Sequence, residues 1–241
     1  MPRAAAFERP HHQRIAQVLR CLDADALRAN ACLFGGGTVI ALRYGEYRES
    51  VDIDFLVSDA AGYRRMRQLL TSDQGIAAIV RPGAPPLTQG VEMRADQYGV
   101  RTMLLVDGQR IKFEMILEGR IELAPPGRGD EVCGVPTLTP LDMATSKLLA
   151  NSDRWRDDGV FSRDLIDLAM MGLAPPLLRQ AVAKAEQAYG ATVLADLGKA
   201  IHAVQTRHEW LDRCMRAMAM SMPKAVLWQR LRAVARVLPR P

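Results

Sequence analysis

Two runs that read as strands, 99–106 and 110–117, meet at Asp107-Gly108, and this junction constrains the chain more than any other feature. Asp-Gly between two strand-like segments is the chemistry of a two-residue hairpin turn, because both residues tolerate positive φ. The front half must therefore carry antiparallel strands, here read as a meander with a further strand over about 91–96. From Thr139-Pro140-Leu141-Asp142 the period changes. A hydroxyl at the cap, proline at the first helical position and an acid at the third mark a helix start. Helical segments follow near 140–155, 163–172, 175–189, 192–206, 208–220 and 223–237.

Upstream of the hairpin, residues 8–28 read as one helix, with Ile15, Val18, Leu19 and Leu22 on one face. The run Phe34-Gly35-Gly36-Gly37-Thr38 opens a short apolar helix through Tyr44. Residues 50–57 alternate as a half-buried strand, and Ser58-Asp59 caps a helix over about 59–70. The proline-rich stretches 81–86 and 124–130 are loops. The class is α/β (α+β): a mixed front part over 1–134 and an all-helical part over 135–241.

Of the 241 residues, 49% are apolar and 24% charged, which excludes a disordered chain and a fibrous repeat. No stretch approaches the roughly 20 apolar residues of a bilayer span, and the N-terminus lacks the apolar core of a secretory signal, so a cytoplasmic protein without a membrane partner is expected. Cys21, Cys32, Cys133 and Cys214 stand apart, which predicts buried free thiols, with neither disulfides nor a zinc site. The net charge is +5. The positive charge is held by 201–241, where eight basic residues face two acidic ones.

Candidate chemistry starts at Asp52 and Asp54. At i and i+2 of a strand, both carboxylates leave one face, while Val51, Ile53 and Phe55 take the other. Paired acids beside phosphates suit Mg²⁺, which takes one or two carboxylates plus substrate oxygens; a solvent-facing strand with two incidental acids is the competing reading. Gly36 and Gly37 open a helix N-terminus, where exposed N–H groups favour an anionic phosphate. Glu114 shares a strand face with Lys112, and a sheet could set it beside Asp54. Lys147, Asn151 and Arg154 fall at i, i+4 and i+7, a polar stripe able to neutralise phosphate charge or merely to face solvent. Asp164 and Asp167 share a helix face, either closing a site or pairing with Arg154 and Arg163. His11-His12 reads as surface histidine, Met215, Met218, Met220 and Met222 as core filling, and the basic tail as a solvated face or a nucleic-acid contact with Trp210 and Trp228 for stacking.

The segments Gly36-Gly37-Thr38-Val39-Ile40-Ala41-Leu42 and Arg48-Glu49-Ser50-Val51-Asp52-Ile53-Asp54-Phe55 resemble the Gly-Gly … Asp-x-Asp signature of the DNA polymerase β-like nucleotidyltransferase superfamily. Within it they are most similar to the AbiEii/AbiGii toxin family, to which the MenT toxins are related. Lys147 to Ala150, Asp153-Arg154 and Arg163-Asp164-Leu165-Ile166-Asp167 look like that family's later helical block. The resemblance covers about 30–172.

It implies a polymerase β-like nucleotidyltransferase core with a mixed sheet and flanking helices, joined to a C-terminal helical domain, with the active site in the groove between them. It further implies Mg²⁺ on Asp52, Asp54 and Glu114, an NTP held by Gly36, Gly37, Thr38, Ser50, Lys147 and Arg154, and Asp164 orienting or deprotonating the acceptor. The expected function is transfer of a nucleoside monophosphate to tRNA or a similar acceptor by the toxin of a type IV toxin–antitoxin or phage-defence pair, with a separately encoded antitoxin. Two rival expectations are a catalytically silent nucleotide-binding regulator and a transferase acting on a small, antibiotic-type molecule. Glu at the third acidic position departs from the commoner Asp.

Overall fold

The computed structural model describes residues 7–239, which form two compact units. The first runs through Glu46 and resumes over Ser50–Thr139; the second takes Tyr47–Glu49 and the chain from Pro140.

The first unit is built on a mixed six-stranded sheet. Its strands are β1 (Leu33–Phe34), β2 (Ile53–Val57), β3 (Thr88–Gln89), β4 (Arg94–Ala95), β5 (Gly99–Val106) and β6 (Gln109–Leu117), ordered β1-β2-β6-β5-β3 with β4 also on β5. The hairpin forms where the Asp-Gly dipeptide requires it. Val106 pairs with Gln109, and Asp107 and Gly108 take φ of +48° and +75°. The meander stops there, because β6 has β2 as its other neighbour in parallel register. The strand expected over 91–96 shrinks to β4, and β3 lies in a stretch whose sequence shows no alternation.

Phe34, Phe55 and Phe113, on the adjacent strands β1, β2 and β6, form the centre of the core, fully or almost fully buried with ring centroids 5.7 and 5.5 Å apart. Each such side chain contributes about 1.5–3 kcal/mol by leaving water. On helix α1 (Pro10–Cys21), Ile15, Val18 and Leu19 are buried. The single helix expected over 8–28 is broken, since the Asp23 carboxylate accepts from the N–H groups of Asp25 and Ala26 and starts a new helix, α2 (Ala24–Ala29). Helix α3 (Gly36–Arg43) is the apolar helix after the glycine run, and α4 (Ala60–Leu70) is capped by Asp59 as anticipated. The edge hairpin of β7 (Glu131–Val132) and β8 (Val135–Pro136) completes the unit. One expectation about β2 fails: the strand begins at Ile53, and Val51, placed on its apolar face, is 45% exposed.

The second unit is helical: α5 (Pro140–Arg154), α6 (Arg163–Met170), α7 (Pro175–Tyr189), α8 (Thr192–Thr206), α9 (Trp210–Ala217) and α10 (Lys224–Ala235). The long helix α5 packs on α6, α7 and α8, and α10 packs on α6. Asp142 in the first turn of α5 is fully buried and is answered by Lys184 of α7. The cysteines are free thiols; Cys32 and Cys214 are buried, Cys21 and Cys133 only partly so. Of the four methionines read as core, Met218 alone is buried. Among the described residues no helix is long and apolar enough to cross a membrane.

Candidate active site

In the first unit the glycine run lies directly on β2. The Gly35 N–H donates to the Asp54 carbonyl at 2.8 Å. Gly36 has φ +69°, and a β-carbon there would come 2.4 Å from Asp54 Oδ2, so no other residue fits without moving the carboxylate. The result is a helix N-terminus set against an aspartate. In the first turn of α3, buried Thr38 places Oγ1 2.8 Å from Ser50 Oγ, two residues before Asp52.

Asp52 and Asp54 are both half-buried. Glu114 is the register partner of Asp54 across the parallel β2–β6 pair, as the sequence suggested a sheet could arrange. Its oxygens are committed, however: Oε1 accepts from Arg101 Nε and Oε2 from Lys112 Nζ. Lys112 holds its proton above the usual lysine range; burial opposes this, but the Glu114 hydrogen bond and charge and then the charges of Asp54 and Asp52 outweigh it. Among the described residues no group of three or more His, Cys, Asp or Glu side chains is gathered to hold a metal. Two neighbouring carboxylates still fit Mg²⁺, a hard cation that completes its shell with water and phosphate oxygens.

In the second unit, Lys147 and Asn151 do not face solvent; they are 6% and 3% exposed. Lys147 Nζ lies 2.9 Å from Asp164 Oδ1 and 2.7 Å from Asp167 Oδ2. Arg154 grips Asp164 with two bonds of 2.7 and 3.0 Å, while Arg163 is exposed. Arg48 grips Asp167 with two of 2.7 and 2.9 Å, and the Tyr47 hydroxyl donates to the same carboxylate. Cations and carboxylates thus alternate: Arg48, Asp167, Lys147, Asp164, Arg154. Burial would raise both aspartates, but Lys147 with Arg154 holds Asp164 far below the usual carboxylate range, and Lys147 with Arg48 lowers Asp167. Asn151 Nδ2, one turn beyond Lys147, is buried without a hydrogen-bond partner, a donor for which the folded chain offers no acceptor.

Two features escaped the sequence. Arg48 was legible only as a word in the motif, and its partner lies 119 residues away. His12, expected at the surface, is fully buried and bonded at both ring nitrogens, to Glu46 Oε1 and the Ser50 N–H. A histidine one turn into a helix gives no local sign of a partner 38 residues on. The tail's Trp210 is no open stacking surface: it is 4% exposed, and the Arg207 guanidinium covers its ring at 3.9 Å.

A helix N-terminus is thus set against Asp54 of a mixed sheet, with Asp52 just ahead of the strand, and the fold is that of known nucleotidyltransferase-type structures. JHP933 from Helicobacter pylori shares the fold at 16% identity and a TM-score of 0.55, over 96% of this chain and 93% of that one. A second H. pylori chain, provisionally assigned as a nucleotidyltransferase, matches at 16% identity and a TM-score of 0.50, over 94% and 92%. No curated protein matches the sequence. The family model of the AbiEii nucleotidyl transferase toxin of type IV toxin–antitoxin systems matches residues 17–235, well beyond the 30–172 legible in the motifs. The chain belongs to that family and is a nucleotidyltransferase.

Proposed function

We propose that this protein moves a nucleoside monophosphate from an NTP to an acceptor of the tRNA class, with Mg²⁺, in the cytoplasm, and that a separately encoded antitoxin opposes it. The observation that supports the reading is the closeness of Gly36 to the Asp54 carboxylate, an arrangement suited to a helix start that binds phosphate beside an acid that binds a cation.

Asp52 and Asp54 are the residues to hold the cation, which when bound neutralises phosphate charge and charge developing on the leaving group. The N–H groups at Gly36, Gly37 and Thr38, with the Ser50 hydroxyl, bind phosphate oxygens. Lys147, Arg154 and Arg48 set three cations against two aspartates, and the one net positive charge of this network suits a triphosphate. The acceptor nucleophile bonds to the α-phosphorus, the bond to the β-phosphate oxygen breaks, pyrophosphate leaves, and the acceptor proton passes to water. Asp164 acts by positioning Lys147 and Arg154 rather than by deprotonating the acceptor, because both its oxygens are committed to those cations and a carboxylate so lowered is a weak base. Glu114, tied to Arg101 and Lys112, supports the acidic face instead of serving as a third ligand. The excess of basic residues over 201–241 favours an acceptor with a phosphate backbone.

The test incubates the protein and Mg²⁺ with each of the four α-labelled NTPs and total tRNA, total cell protein or small-molecule extract. Label on tRNA from one NTP is the expected result. Label confined to protein or to a small molecule replaces the acceptor, and NTP binding without any transfer replaces the enzyme with a nucleotide-binding regulator.

A further inference from the structure

We infer that His12 is a positioning residue for the nucleotide site: a buried imidazole that fixes the main chain of Ser50 and, through it, the hydroxyl pair of Ser50 and Thr38. This rests on the reading of Gly36–Thr38 and Ser50 as the phosphate-binding elements.

The geometry dictates the tautomer. His12 Nε2 lies 3.1 Å from the Ser50 nitrogen and Nδ1 lies 2.7 Å from Glu46 Oε1. A backbone N–H can only donate, so Nε2 accepts, and Nδ1 carries the proton and gives it to Glu46. Glu46 is anchored in turn. Its carboxylate accepts from the N–H groups of Glu8 at 2.7 Å and Arg9 at 3.2 Å, at the start of a helix whose own cap residue offers no side-chain bond. One continuous chain of bonds therefore runs from the start of α1 through Glu46 and His12 to the Ser50 N–H, and the Ser50 hydroxyl meets Thr38 Oγ1 at 2.8 Å.

Packing does not call for this arrangement. Ile15, Val18 and Leu19 already bury α1, and a leucine at position 12 would bury it without enclosing an imidazole and a carboxylate at a desolvation cost. What the histidine adds is direction: it holds the backbone just before Asp52, where the phosphate-binding and cation-binding groups converge. Such support from behind is what keeps a binding constellation in its productive geometry.

The experiment separates the two bonds of the ring. In His12→Asn the side-chain amide nitrogen takes the place of Nδ1, keeping Glu46 and leaving the Ser50 N–H unanswered. In His12→Gln the amide oxygen takes the place of Nε2, keeping Ser50 and losing Glu46. Steady-state transfer with Mg²⁺ and varied NTP, alongside thermal unfolding, is expected to show KM for NTP raised about tenfold in the Asn variant, with kcat changed less than about threefold, and KM within about threefold of wild type in the Gln variant. Equal KM shifts in both variants, no shift in either, or shifts that simply follow the melting temperatures overturn the inference. If the Asn variant does not fold, His12→Gln and Glu46→Gln decide: both keep the Ser50 contact, so a tenfold rise of KM in either overturns it, and KM near wild type in both, despite lower melting temperatures, upholds it. A wild-type protein that neither binds nor transfers any NTP overturns the site reading itself and the inference with it, an outcome distinct from an active wild type and an unshifted Asn variant.

Discussion

Gly36 and Asp54 stand so close that a single added carbon on the glycine would sit 2.4 Å from the aspartate's Oδ2. The glycine also holds φ +69°, a conformation that costs an L-residue roughly 1–2 kcal/mol. Strain and contact thus act at one position, tying the helix start to the acid on β2.

Gly36→Ala tests that tie. The substitution is expected to lower stability by about 1–2 kcal/mol, from the backbone alone, in urea unfolding. Transfer should fall by about a hundredfold or more, because the Asp54 carboxylate must turn away from its position. Unchanged activity would separate the glycine run from the chemistry.

Glu114→Gln distinguishes a support from a ligand. With both oxygens committed to Arg101 and Lys112, the residue is expected to affect transfer by less than about tenfold. A loss as deep as that of Asp54→Asn would make it a cation ligand after all.

Lys147 sits between two buried aspartates, so its removal has a pH signature. In the native protein Asp164 and Asp167 are lowered, so the stability they contribute is complete above the unfolded carboxylate value of about 4 and is lost only as pH falls below it. In Lys147→Met the two carboxylates lose their shared cation and their values rise. The penalty is then expected to be about 3–5 kcal/mol at pH 7 and to shrink as pH drops toward 4, where protonation relieves it. Chemical unfolding of both proteins at pH 7 and pH 4 reads this directly. A penalty independent of pH would contradict the pairing.

What the sequence disclosed, and what it hid, follows the range of the interactions. The Asp107-Gly108 hairpin and the helices over 175–189 and 192–206 were legible because turn chemistry and helical period act within a few residues. The break at Asp23 was readable in principle, since an acid two and three residues ahead of free N–H groups is a cap, but the apolar period ran across it. Strands β3 and β4 are two residues each and too short to show a period. The parallel pairing of β2 with β6, the burial of Lys147, and the partners of Arg48 and His12 depend on contacts far apart in sequence. Asp52 and Asp54 were legible from their i, i+2 spacing, and the family resemblance added Lys147 and Asp164 to the same site; His12 matches no motif, and its burial depends on Glu46 and Ser50, more than 30 residues on.

Asp54 on β2, with Asp52 just ahead of the strand, is central to nucleotidyl transfer as proposed. The most direct measurement compares Mg²⁺-dependent transfer of α-labelled nucleotide by the wild-type protein and by Asp54→Asn, each first shown to be folded by thermal unfolding. The account predicts transfer by the wild type and at least a thousandfold less by the variant, with a melting temperature equal or higher, since removing one of two neighbouring negative charges relieves repulsion. A folded Asp54→Asn protein that transfers nucleotide as well as the wild type would contradict it.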